Sequence, residues 1–132
     1  MKRYLLDTNT VSHLLKRHPA VVQRVVAVPM AALCISAITE GELLFGLAKR
    51  PDANRVQVAV RELLLRLDVL PWDRAAAACY GLLRATLADL GKPLAPLDLL
   101  IAAHGLSVDA VVVTNDQAFR YVPGMQLEDW TL

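Results

Sequence analysis

The chain has 132 residues, carries 14 Lys and Arg against 13 Asp and Glu, and is 55% hydrophobic. One domain over residues 1–132 is expected, and it is long enough to fold without disulfides or a structural metal. The net charge of +1 does not indicate a uniformly basic nucleic-acid binder. The longest apolar stretch, 25–38, is too short to span a membrane. Cys34 and Cys79 lack a metal-ligand spacing and are expected to be buried thiols in a reducing cytoplasm.

Short apolar segments alternate with longer segments of helical spacing along the chain. Pro19 and Pro96 favour helix starts, Ser36 and Asp73 are good N-caps, and Gly91 predicts a helix end. The predicted elements are strands at 4–6, 33–35, 69–70 and 110–113, helices at 8–17, 19–28, 37–49, 54–67, 74–91 and 96–105, a turn at 116–120 and a short tail at 125–130. This alternation indicates an α/β fold with a mainly parallel central sheet flanked by helices.

Two acidic residues directly follow predicted strands. Asp7 ends the first strand, before the polar Thr8 and Asn9, and Asp116 follows the strand 110–113. Ligands bind beyond the carboxyl ends of strands in open α/β sheets, so parallel neighbouring strands would bring both acids to one rim. Capping the next helix is an equally simple role for each acid taken alone.

Two further acids lie in otherwise apolar helices. Glu42 shares a helix face with Phe45 and Gly46, and Gly46 leaves open space beside it. Glu40 points about 200° away around the helix, but geometry alone does not decide between Glu42 and Glu40. Asp98 lies just inside a helix N-terminus, where the helix dipole favours a negative charge in either a structural or a metal-binding role.

The chemistry of these four acids favours a hard cation. Acids flanked by Leu, Ile and Val are costly unless they are paired, hydrogen-bonded or bound to a cation. Carboxylate oxygens suit Mg²⁺ or Mn²⁺, whereas His13, His18 and His104 lack the spacing typical of a zinc site. No glycine-rich phosphate loop and no motif for an activated nucleophile is present. The sequence therefore predicts a small metal-dependent enzyme.

At these residues the chain resembles the PIN-domain ribonucleases, and more narrowly the VapC toxins of bacterial toxin–antitoxin pairs. The likeness covers almost the whole length, and it rests on the order and spacing of several segments rather than on any one of them. These segments are 5–9, 35–39 with Glu42, Leu43 and Gly46, 70–73, 98–104, 112–116, 122–124 and 127–130.

The resemblance implies a single PIN-like domain with an acidic catalytic pocket. That pocket would consist of Asp7, Glu42, Asp98 and Asp116, with Asp7, Asp98 and Asp116 binding Mg²⁺ or Mn²⁺. The implied activity is site-specific hydrolysis of structured RNA, which inhibits translation in the cytoplasm. Relatives of this kind act on tRNA anticodon loops or on a ribosomal RNA loop, and the sequence does not choose between these targets.

The resemblance also assigns supporting residues and reveals one departure from the family pattern. It favours Glu42 over Glu40, because the family's acid directly precedes Leu and has Gly four positions later. Thr114 and Asn9 would support the pocket by hydrogen bonds, and Asp129 and Trp130 would be structural. Many relatives have a further acid after the Thr-Asn-Asp segment, where this chain has Gln117 and Ala118.

The resemblance further implies two protein partners, a second copy of the chain and a VapB-type antitoxin. A homodimer also agrees with the high apolar content, which leaves apolar surface for a partner. The apolar helices 19–28 and 54–67 are the predicted partner surfaces. The antitoxin's C-terminal segment would enter the groove beside the acids and inhibit the enzyme.

Two other functions are compatible with parts of the sequence. An aspartyl phosphotransferase would use Asp7 as nucleophile, but it needs an acid two residues later, where Asn9 stands. A non-catalytic domain could instead use its acids to anchor a basic peptide. The local basic clusters that could meet a polyanion are Lys16 with Arg17, and Lys49 with Arg50 and Arg55, although solvated surface is their simpler interpretation.

Overall fold

The computed structural model describes residues 2–132 of the chain. Within these residues, five strands form one sheet and six α-helices flank it. No helix in this part of the chain is both long and apolar enough to cross a membrane. The strands are β1 (Tyr4–Leu6), β2 (Leu33–Ser36), β3 (Asp68–Leu70), β4 (Val111–Val113) and β5 (Leu127–Glu128), and the helices are α1 (Thr8–Leu15), α2 (Pro19–Ala27), α3 (Ala37–Lys49), α4 (Asn54–Arg66), α5 (Arg74–Leu90) and α6 (Pro96–Ser107).

The sheet has the strand order β3-β2-β1-β4-β5, and every neighbouring pair is parallel. In the centre of the sheet, Leu5 of β1 lies opposite Cys34 of β2 and Val112 of β4. The chain builds outward from β1 through β2 to β3 and then crosses back to place β4 on the other side of β1. The strand order therefore reverses between β1 and β4, which is where ligands bind in sheets of this kind.

Alternation along the central strands divides the hydrophobic core into two layers. Leu5 and Val112 face the layer covered by α5 and α6, whereas Leu6 and Val113 face the layer formed with α1 to α4. Since helices cover both faces, these strands are continuous apolar runs without polar alternation. The prediction of an α/β fold with a parallel sheet is confirmed.

The structure corrects the sequence prediction at several element ends. The tail 125–130 contains a short edge strand, β5, which pairs with β4. The N-cap of α1 is Asp7, which is one of the two roles that its position after β1 suggests. The segment 117–121 is a short 3₁₀ helix. In contrast, Ser36 and Asp73 cap α3 and α5 as predicted, and Gly91 ends α5 in a left-handed conformation with φ of 66°.

Gly105 is a packing glycine and does not end its helix. The sequence predicts that the helix 96–105 ends near Gly105, but α6 continues to Ser107. A Cβ atom added to Gly105 would lie 2.3 Å from Cγ2 of Val112 on β4. Only glycine allows α6 to lie this close to the sheet, so Gly105 sets the distance between α6 and the sheet.

Candidate active site

Asp7 lies at the end of β1 and begins α1. Its backbone N–H donates to the carbonyl of Val113 on β4 over 3.0 Å, which fixes it beside the reversal point of the sheet. Its Oδ1 accepts a hydrogen bond from the backbone N–H of Thr10 over 2.8 Å, and the residue is only 2% exposed. Asp7 therefore both caps α1 and lies in the candidate site.

Burial is the main influence on the Asp7 carboxyl and raises its pKa. Hydrogen bonds from Thr114 and Thr10 act in the opposite direction, and the charge of Asp116 raises the pKa further. The carboxylate is therefore desolvated, held by hydrogen bonds from Thr10 and Thr114, and close enough to Asp116 to be repelled by it.

Asp116 lies at the same rim, after β4. Its Oδ1 accepts from the backbone N–H of Ala118 over 2.9 Å and so caps the 3₁₀ helix 117–121. Its own N–H donates to Oγ1 of Thr114 over 3.0 Å. Thr114, predicted as a supporting residue, is buried, and its hydrogen bonds with Asp7 and Asp116 link the two strand-end acids.

Asp98 reaches the rim from the first turn of α6. Its pKa is raised to about 6, first by burial and then by the negative charges of Asp116, Asp7 and Glu42. A hydrogen bond with the Asp116 side chain contributes in the same direction. These couplings show that the structure brings together four acids that are distributed over 110 positions of the sequence.

Glu42 completes the group from α3. Its Oε1 accepts a hydrogen bond from Oγ1 of Thr8 over 2.6 Å, and Thr8 also lies 3.2 Å from Oγ1 of the buried Thr39. Glu40, two residues earlier, forms no side-chain hydrogen bond or ion pair among residues 2–132. The geometry thus places Glu42, and not Glu40, at the rim. Thr8 was missed as a site residue, although its position directly after Asp7 was the available signal.

The four acids are not neutralised by the protein. Among residues 2–132, the ion pairs involve Glu128, Asp68 and Glu62, and none involves the acids of the rim. Within the same residues, no three acidic, His or Cys side chains are already arranged to hold a metal ion. The hydrogen bonds from Thr8, Thr10 and Ala118 orient three of the carboxylates individually. The cluster is therefore an uncompensated set of oxygen donors rather than a closed chelate.

A buried hydrogen bond braces the elements behind the acids. Nδ1 of His104 on α6 lies 2.8 Å from Oγ of Ser36, which also accepts from the N–H of Ile38 at the start of α3. Burial lowers the pKa of His104, opposed by Asp73 and by a hydrogen bond to the Pro71 backbone. His104 is thus a buried core residue that joins α6 to the start of α3.

Two other predicted features lie nearby. Asn9, on the first turn of α1, is exposed, and its side chain forms no hydrogen bond within residues 2–132. Gly46 lies beside Glu42 in the wall of a large groove, and a Cβ atom there would meet nothing within 4 Å. The open space predicted next to Glu42 is therefore confirmed.

Comparison with known families identifies this constellation. A model of the PIN domain matches residues 4–125, a range that contains all four acids. The chain belongs to the PIN-domain family.

Similarity over the full length narrows the assignment within that family. The chain is 36% identical to a tRNA(fMet)-specific endonuclease VapC from Shigella flexneri, over 99% of this chain and all of the relative. It is 38% identical to the protein of the same description from Salmonella typhimurium, over 98% of this chain and 99% of that one. The chain is therefore an endoribonuclease of the VapC group.

A solved structure supports the same assignment. A chain in the crystal structure of DNA-bound VapBC from Salmonella typhimurium superposes with a TM-score of 0.91 at 39% identity, covering 98% of this chain and 99% of that chain. The similarity extends through β5 and the C-terminal segment. The PIN fold and the PIN-domain ribonuclease identity expected from the sequence are confirmed.

Proposed function

We propose that this protein is a Mg²⁺- or Mn²⁺-dependent, site-specific endoribonuclease that acts as the toxin of a toxin–antitoxin pair and cuts structured RNA, with tRNA as the substrate class. The observation that carries the proposal is the convergence of Asp7, Glu42, Asp98 and Asp116, none of which forms an ion pair with a cation among residues 2–132. The tRNA class is supported by the two relatives described as tRNA(fMet)-specific endonucleases.

The donor chemistry fits the proposed metal. All four side chains offer carboxylate oxygen, and Mg²⁺ and Mn²⁺ prefer such ligands, completed by water. Asp7, Asp98 and Asp116 would hold the ion, and their mutual repulsion, seen in the raised pKa of Asp98, would be relieved by a positive charge. When bound, the ion would supply Lewis-acid stabilisation of the phosphate and a lowered pKa for the attacking water.

The protein's own groups would divide the remaining work. Glu42, oriented by the 2.6 Å hydrogen bond from Thr8, would orient or deprotonate the attacking water or contribute to a second ion position. Thr10 and Thr114 would keep Asp7 in the orientation that faces the phosphate. No protein nucleophile is needed, which agrees with the aspartyl-phosphotransferase alternative lacking its second acid at Asn9.

Two protein partners belong to the proposal. A VapB-type antitoxin is supported by relatives solved as VapBC complexes. A homodimer is supported by apolar side chains exposed on the helices predicted to bind partners, including Val26 on α2 and Leu65 on α4, which are 75% and 84% exposed. Sedimentation of the purified protein, with and without the antitoxin, would test both assemblies. A small reading frame with a DNA-binding N-terminus upstream of the gene would support the pairing.

The direct test is cleavage of total RNA by purified protein freed of antitoxin. Discrete fragments are expected with Mg²⁺ or Mn²⁺, none with EDTA, and none with Asp7→Asn. Sequencing of the fragment ends would identify the RNA. Absence of cleavage by folded protein, in either metal, would refute the proposed activity and favour the domain that anchors a basic peptide.

A further inference from the structure

A large groove opens onto the acidic rim. It lies between α1, α3 and α4 and has a volume of about 1140 Å³. Thr8 and Glu42 form part of its wall, so the groove and the acidic site share side chains. Its size exceeds the roughly 300–1,000 Å³ of small-molecule pockets, which favours a polymer as its occupant.

The charge on this groove is one-sided. Five basic side chains line it, and Glu42 is its only acidic lining residue in the described part of the chain. None of the five forms an ion pair within residues 2–132, whereas the whole chain has a net charge of only +1. We call this surface the basic groove, and its cationic residues are Lys16, Arg17, Lys49, Arg50 and Arg55.

An exposed aromatic ring lies in the same wall. Phe45 follows Glu42 by three residues on α3 and is 65% exposed, which is unusual for a phenylalanine. Nζ of Lys49 lies 5.3 Å from the centre of its ring. An exposed ring beside cations is the arrangement on which unstacked nucleic-acid bases stack while their phosphates are neutralised.

We propose that the basic groove is the binding track for the RNA substrate, with phosphates on its five cations and a base on Phe45. The inference rests on the proposed function, because it places the scissile phosphate at the shared boundary near Glu42. A polyanion that approaches four carboxylates is repelled, and unpaired cations alongside them offset this repulsion. The ratio of five basic lining residues to one acidic lining residue favours a polyanion such as RNA as a ligand of this groove.

The first experiment measures RNA affinity without cleavage. The probe is a transcribed initiator tRNA in EDTA, titrated over a range of salt concentrations. The test variant combines Lys16→Gln, Lys49→Gln and Arg55→Gln. The control removes the same charge outside the groove, through Arg61→Gln, Arg84→Gln and Lys92→Gln. Thermal melts confirm that both are folded.

The groove variant is expected to bind about 100-fold more weakly at 0.1 M salt, because three phosphate contacts are lost. The slope of log affinity against log salt should become shallower by about 2 to 3. The control variant is expected to stay within about threefold of the parent. Equal behaviour of the two variants would overturn the proposal and leave the groove to a protein segment.

A second pair of variants keeps the test valid if the triple variant does not fold. Val58, in the groove on α4, and Leu82, outside it on α5, are both exposed, at 61% and 75%. Val58→Glu should weaken tRNA binding about tenfold by introducing a negative charge into the track, and Leu82→Glu should not. An unchanged affinity for Val58→Glu would also overturn the proposal.

Phe45 gives a readout that differs from that of the cations. Phe45→Ala is expected to weaken tRNA binding about 5- to 100-fold without changing the salt slope, because stacking involves no counterion release. Affinity measured in EDTA does not depend on catalysis. If the groove variants lose tRNA binding but the parent protein shows no metal-dependent cleavage, the groove proposal stands and the proposed activity is refuted. If the parent protein cleaves RNA normally but the groove variants bind tRNA as well as it does, the activity stands and the groove proposal is refuted.

Discussion

Glu42 and Glu128 are both partly buried carboxylates at the edge of the fold, and they differ in what surrounds them. Oε1 of Glu128, on β5, accepts from Arg24 over 2.7 Å and from the indole of Trp130 over 2.9 Å, while Lys2 lies 3.6 Å from Oε2. Among residues 2–132, the only hydrogen-bond partner of the Glu42 carboxylate is the neutral hydroxyl group of Thr8.

The same contrast extends to the other acids. Asp68 is paired with Arg3, whereas Asp7, Asp98 and Asp116 have no protein cation as a partner within residues 2–132. Glu128 and Asp68 are therefore supplied with a counter-charge by the same chain. Among the acids without an ion pair in residues 2–132, Asp7 and Asp98 have raised pKa values, to which burial and the charge of Asp116 contribute, and this is the arrangement expected where the counter-charge comes from outside.

The largest expected effect is the difference in RNA cleavage between variants of Glu42 and of Glu40. Glu42→Gln keeps the shape of the side chain but removes its basicity, and it should lower the rate of RNA cleavage about 100- to 10,000-fold. Glu40→Gln, on the same helix, should leave the rate within about twofold. Single-turnover cleavage of a labelled tRNA measures both. Equal losses would contradict a special position for Glu42.

Addition of the missing counter-charge should be the next largest effect. Millimolar Mg²⁺ or Mn²⁺ is expected to raise the melting temperature by about 3 to 8 °C, because an ion that binds only the folded state stabilises it. Asp7→Asn should reduce this response. Differential scanning fluorimetry with EDTA as reference provides the measurement, and Asp89→Asn, on the exposed face of α5, is the matched control. A melting curve insensitive to both metals would count against the site.

The stability of the metal-free protein should also depend on pH, with a smaller effect that comes from a proton bound to Asp98 rather than from a metal ion. The pKa of Asp98 is raised to about 6 from 3.8, so the folded state holds this proton more tightly than the unfolded chain does. Stability should therefore fall as pH rises from about 4 to about 6 and stay level in this respect above it. Melting curves in EDTA should show this slope, and Asp98→Asn should flatten it. An unaltered slope in the variant would assign the effect to other groups.

The smallest effect is expected for Glu128, the carboxylate that forms ion pairs within the fold. Glu128→Gln should cost about 0.5 to 1 kcal/mol of unfolding free energy, since it weakens exposed ion pairs but keeps a hydrogen-bond acceptor for Trp130. Urea unfolding measures the loss, and RNA cleavage should be unchanged. Cleavage that falls as steeply as in Glu42→Gln would erase the distinction between the two groups of acids.

Local signals were sufficient for most of the fold. Ser36, Asp73 and Gly91 mark helix ends through capping rules that act within a few residues, and the structure confirms all three. The strand β5 was missed because two residues carry no periodicity, and its pairing depends on β4. Gly105 looked like a helix end because its actual neighbour, Val112, is distant in the local pattern.

The sequence was sufficient to identify the acids of the site, but not the hydrogen bonds that hold them in place. Asp7 and Asp116 were recognisable as strand-end residues, and the PIN resemblance selected Glu42 and Asp98. The bond from Thr8 to Glu42 spans 34 positions, and that between Ser36 and His104 spans 68, so neither follows from spacing. The basic groove likewise requires α1, α3 and α4 to be placed side by side.

The central position of β1 also sets when the protein can become active during synthesis. Asp7 leaves the ribosome well before β4, the strand that flanks β1 on one side and begins at Val111. At roughly 5–20 residues per second, a growing chain spends about 5 to 20 s with Asp7 made and Asp116 absent. The acids therefore cannot assemble before the segment that carries Asp116 has been synthesised. A cell that makes this nuclease gains an interval in which the nascent polypeptide is harmless.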